Sequence, residues 1–147
     1  MSIRYVHTNI IAKDWRTLAA FYIEVFGCSI VPPERELSGE WADALTGICG
    51  VHIQGAHLRL PGSDATLEIF SYEPQGLDGW RPVNRPGFGH IAFHVDDVAG
   101  MLERMKAHGG YPVGEVVRQE IKDVGILTAV YACDPEGNII ELQNWSK

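Results

Sequence analysis

A chain of 147 residues has room for one domain, or for two small modules sharing a core, and its 46% hydrophobic and 21% charged content is that of a globular protein. A net charge of −7 with no basic cluster argues against nucleic acid as a partner. No apolar run is long enough to span a bilayer, and Met1, Ser2, Ile3 and Arg4 precede no apolar secretion core, so a cytoplasmic location is expected. Cys28, Cys49 and Cys133 are odd in number and far apart, which predicts reduced thiols rather than a zinc ribbon or a redox pair.

In chain order, Tyr5–Ala12 reads as a strand with His7 near its start. Asp14 is placed to cap a helix over Trp15–Phe26, in which Leu18, Phe21, Tyr22 and Val25 form one apolar face and Gly27 is the stop. Strands follow at Cys28–Pro32, Val51–Leu60 and Thr66–Tyr72. The stretch Glu34–Gly50 interrupts them as a loop or short helix, and Pro61–Asp64 is a turn. A Gly- and Pro-rich linker covers Glu73–Pro86. Gly89–Val95 is then a strand containing His90, and Asp97 caps a helix over Val98–His108 that Gly109 or Gly110 ends. Strands are predicted at Pro112–Val117, Thr128–Asp134 and Asn138–Trp145, with Asp134–Asn138 holding a turn.

The two halves repeat one another. An aspartate follows His7 and His90 at the same interval (Asp14, Asp97), and a glycine follows at a second shared interval (Gly27, Gly110). Each half reads strand, helix, strand, strand, strand. The expected fold is therefore α+β, two tandem βαβββ modules of about residues 1–73 and 87–147 in one domain of residues 1–147.

Four polar residues hold matching places in this repeat. Glu68 and Glu141 each sit among large apolar neighbours in the last strand of a module; His7 and His90 each lie in the first. Taken singly, each glutamate reads better as a solvent-facing strand residue and each histidine as a hydrogen-bonded structural one. Taken together, two imidazoles and two carboxylates suit a divalent ion, with room left for water or substrate oxygens. Two carboxylates brought together without a cation would repel. His52, His57, His94 and His108 show no such correspondence between the halves.

With Val6–His7–Thr8, Phe21–Tyr22 and Phe26–Gly27 in one half, and Gly89–His90–Ile91–Ala92, Val95–Asp96–Asp97, Asp134–Asn138 and Ile140–Glu141–Leu142 in the other, nearly the whole chain resembles the vicinal oxygen chelate superfamily. Glyoxalase I and methylmalonyl-CoA epimerase are nearest in pattern. The resemblance implies a curved mixed sheet around one divalent metal ion (Zn, Ni, Co, Mn or Fe) held by His7, Glu68, His90 and Glu141. It implies a small-molecule substrate, a homodimer, and isomerase, epimerase or lyase chemistry through an enolate. Glu141 is then the first choice of base, Glu68 the second, and His52 a weak third. An iron-dependent ring-cleaving dioxygenase and a non-catalytic small-molecule binder are the alternatives. The places that serve glutathione in bacterial glyoxalase I match Ile11 and Tyr72 here, which argues against that thiol. The residues around Glu40–Gly50 would shape a different pocket, with Trp41 and Trp80 as wall candidates.

Overall fold

The computed structural model describes residues 2–147. The chain divides into two compact units, Met1–Asp78 and Gly79–Lys147, each built on its own sheet.

The first unit runs β1 (His7–Ile11), α1 (Trp15–Phe26), β2 (Ser29–Ser38), α2 (Glu40–Thr46), β3 (His52–Arg59) and β4 (Thr66–Glu73). Its four strands lie in the order β1-β4-β3-β2, with β1 parallel to β4 and the other neighbours antiparallel. Helix α1 begins where the Asp14 carboxylate accepts the Thr17 N–H at 3.2 Å, and ends at Gly27, whose φ of 74° a side chain would resist. Its Leu18, Phe21, Tyr22 and Val25 are buried, and the helix packs on β3 and β4, where Leu58, Leu67 and Ile69 are fully covered. Strand alternation sends Thr66, Glu68, Phe70 and Tyr72 to the opposite face. There Ala42, Val51, Ile53 and Phe70 form a second small core, with Leu37, Ile48 and Tyr72 packed against it.

The Glu34–Gly50 stretch is thus partly strand and partly helix. The strand expected to stop at Pro32 continues to Ser38. Its register shifts between Val31 and Arg35, around two prolines that have no N–H to donate, and pairing resumes at Arg35 opposite Gly55.

The second unit runs β5 (Ile91–His94), α3 (Val98–Ala107), β6 (Tyr111–Pro112), β7 (Val117–Ile121), β8 (Gly125–Cys133) and β9 (Ile139–Ser146). The order is β5-β9-β8-β6, with β7 also on β8, and β5 is parallel to β9. Asp97 caps α3 by accepting the Gly100 N–H at 2.9 Å. The helix packs on β6, β8 and β9, with Val98 and Met105 buried on its side and Val130, Ala132, Ile140 and Leu142 on theirs. The strand expected over Pro112–Val117 is two shorter ones. Register slips between the pairs Pro112–Ala132 and Val117–Ala129, and in the gap Val113 N–H, at 2.9 Å, and Gly114 N–H both turn to the Tyr131 carbonyl. The fold is the expected α+β, with two mixed sheets. Among the described residues no helix is long and apolar enough to cross a membrane.

Candidate metal centre

Strand register assembles a polar cluster on the face of the first sheet that α1 does not cover. Parallel pairing sets Asn9 beside Glu68, with His7 one repeat earlier on the same face; antiparallel pairing sets His57 directly across from Glu68. His7 Nε2 is 2.9 Å from Glu68 Oε1, and His57 Nε2 is 2.7 Å from Oε2. Asn9 Nδ2 donates to Oε1 at 3.3 Å. Glu68 is only 9% exposed, so these partners replace the water that its carboxylate gave up. The two imidazoles meet edge to face with centroids 5.8 Å apart, and the Phe70 ring lies 5.9 Å from that of His57. Burial holds the His57 pKa below its ordinary value, and nearby Arg35 and His7 push the same way against the opposing pull of Glu68. That direction favours the neutral imidazole, the form that binds metals.

The ligand atoms of His7, His57 and Glu68 all lie within 4.8 Å of one another, a grouping that could hold a metal ion. The chemistry fits. Atoms about 2.1 Å from a common ion and at right angles stand roughly 3 Å apart, the spacing found between His7 Nε2 and Glu68 Oε1. Two neutral imidazoles and a carboxylate suit a borderline divalent ion.

The second unit repeats the pair but not the triplet. Ala92 is beside Glu141, His90 again lies one repeat earlier, and His90 Nε2 is 3.3 Å from Glu141 Oε1. Across from Glu141 stands Tyr131, its ring 4.7 Å from that of His90. Tyr131 is therefore the counterpart of His57, and Ala92 of Asn9.

The sequence model of the Glyoxalase/Bleomycin resistance protein/Dioxygenase superfamily matches residues 4–142. The chain belongs to this superfamily. A probable lactoylglutathione lyase from Vibrio cholerae is 28% identical over 141 residues, covering 95% of this chain and 88% of that protein. The superfamily's fold is equally plain in solved structures. A glyoxalase family protein from Bacillus cereus matches with a TM-score of 0.85 at 24% identity, over 100% of this chain and 97% of that one. A genomically encoded fosfomycin resistance protein from Listeria monocytogenes matches with 0.61 at 17% identity, over 99% and 96%.

Within each unit of this superfamily member, the expected pair comes together: His7 with Glu68, and His90 with Glu141. His52 does not join them. It is five positions from His57, hence on the other face of β3, and bonds Glu36 Oε1 at 3.1 Å. Trp41 and Trp80 are 56% and 88% exposed rather than packed into a wall. Ile11 and Tyr72 share the face of Glu68. His57 and Asn9 were passed over because their counterparts, Tyr131 and Ala92, differ in kind, and a search for repeated histidines cannot see them. The signal was the hairpin: counting outward from the Pro61–Asp64 turn, Arg59 meets Thr66 and His57 meets Glu68.

Proposed function

We propose that this chain is a divalent-metal-dependent lyase or isomerase of the glyoxalase type, acting on a small carbonyl substrate by moving a proton on the adjacent carbon. The reading places residues 1–147 in one domain and takes the cytoplasmic protein to be a homodimer. His7, Glu68, His90 and Glu141 would hold one ion. A divalent ion held there would supply positive charge that eases loss of a proton from the carbon beside the substrate carbonyl.

The observation that carries the reading is the recurrence of one imidazole–carboxylate pair at the same strand register in both halves. Chance placement of solvent-facing glutamates does not produce this, and a 9%-exposed Glu68 is not solvent-facing. Glu141 is assigned as the base that takes the proton and returns it. Its carboxylate is held on one oxygen by His90 and has Tyr131, not a second histidine, as its cross-strand neighbour. Glu68, gripped on both oxygens, has less freedom to leave its partners and is the second choice. Ile11, on the face of Glu68 and 46% exposed, offers an apolar contact to the substrate's carbon skeleton. The relatives named as probable lactoylglutathione lyases support 2-oxo hemithioacetals as the first substrates to screen, followed by acyl-CoA esters.

The test is metal analysis of the purified chain, then proton–deuterium exchange at the substrate carbon. One ion per chain and loss of exchange in Glu141→Gln, with the fold intact, are expected. Full activity in that variant would remove Glu141 from the mechanism.

A second reading, an iron-dependent oxygenase, has one observation in its favour: two histidines and one carboxylate are the ligand types of non-haem iron oxygenases. Oxygen uptake with a catechol would select it.

A further inference from the structure

The function proposed above draws one imidazole and one carboxylate from each half, yet the first half contains a third donor that this assignment does not use. We infer that His57 is itself a metal ligand, so that His7, His57 and Glu68 hold the ion from the first half without help from the second. The inference rests on the reading that an ion binds at all.

The geometry treats His57 as it treats His7. Each approaches Glu68 with Nε2, one on each carboxylate oxygen, at 2.7 and 2.9 Å. In the metal-free chain these contacts are hydrogen bonds in which the imidazole N–H donates, and an ion would take the place of both protons. If His7 exchanges its proton for the metal, the same exchange is open to His57. Its side chain is 19% exposed against 37% for His7, so it is the better shielded of the two. The three ligand atoms already lie within 4.8 Å of one another, so capture requires small movements only. The second half cannot do this. Tyr131 occupies the equivalent position and offers a phenol oxygen in place of an imidazole nitrogen. The halves are therefore unequal. One offers three donors, His7, His57 and Glu68, and the other the pair His90 and Glu141.

A competing role would leave His57 as a hydrogen-bond donor that only orients Glu68. Affinity alone does not separate the two roles, since losing such a donor costs about 10- to 100-fold in metal binding. Co²⁺ does. In the full chain loaded with Co²⁺, each histidine bound through Nε2 contributes one strongly shifted, exchangeable Nδ1–H proton resonance. His57→Gln, which can still donate to Glu68, should lose one such resonance while keeping the circular dichroism of the parent; His57→Asn should do the same. The double variant His90→Ala/Glu141→Gln, in which residue 57 is untouched, should still bind one Co²⁺ per chain and show two shifted N–H resonances. Retention of every shifted resonance in His57→Gln, or a single one in the double variant, overturns the assignment of His57 and leaves the proposed function standing. Loss of Co²⁺ from the double variant overturns the sufficiency of the first half. Failure of the parent chain to take up Co²⁺ overturns both readings.

Discussion

Single atoms decide much of the environment around Glu68. A Cβ on Gly55 would lie 2.1 Å from the Ile69 carbonyl oxygen and 2.5 Å from Phe70 Cδ1, so the strand next to the cluster tolerates no side chain there. Gly55→Ala must move backbone and also displace the Phe70 ring, which neighbours His57. It should destabilise the chain by about 3 kcal/mol, read by urea unfolding. A cost under about 0.5 kcal/mol would mean the strand adjusts freely. The cysteines make a second residue-scale prediction. Burial pushes the Cys28 thiol up to about 11 and raises that of Cys133, so both stay protonated at pH 8, while Cys49 is exposed. A chromogenic disulfide reagent at pH 8 should titrate one thiol in the native chain and three in denaturant. Fast reaction of two or more native thiols would contradict the burial.

Among the elements, the helices are bounded by their caps and the strands by where pairing can continue. Asp97→Ala removes the acceptor of the Gly100 N–H and should cost about 1 kcal/mol, a fall of roughly 3 °C in Tm by calorimetry. The β8–β9 turn depends more heavily on one side chain. Asp134 is fully buried, and its carboxylate accepts N–H groups from Glu136, Asn138 and the Asn138 amide. Asp134→Ala should cost about 3 kcal/mol, more than the helix cap, because three part-buried donors lose one shared, fully buried acceptor. An equal cost for the two variants would show that water replaces Asp134. Helix α1 was legible to the residue, since a capping aspartate, a three-and-four apolar step and a stop glycine all agree. The second strands were not. Pro32 and Pro33 look like a terminus, and Gly114 lies where one continuous strand was expected; each turned out to mark a register slip within a strand edge that β3 or β8 still pairs.

For the whole molecule, an ion that binds the folded chain and not the unfolded one must raise its stability. At a free concentration a hundred times Kd the gain is about 2.7 kcal/mol. Added Zn²⁺ or Co²⁺ should raise Tm by several degrees, and a chelator should reverse it; a Tm indifferent to both would weigh against the proposed centre. What the sequence determined by itself was the duplication, the α+β class and the two His–Glu pairs, because cap spacing, strand alternation and turn chemistry are local and repeat from half to half. The hairpin turn put His57 within reach of the sequence, and what only the tertiary structure decided was the membership of Asn9, which the pairing of β1 with the distant β4 sets beside Glu68. A side chain joins a cluster through the register of the neighbouring strand, and register is set by pairing between distant segments, not by any pattern within the strand that carries the residue.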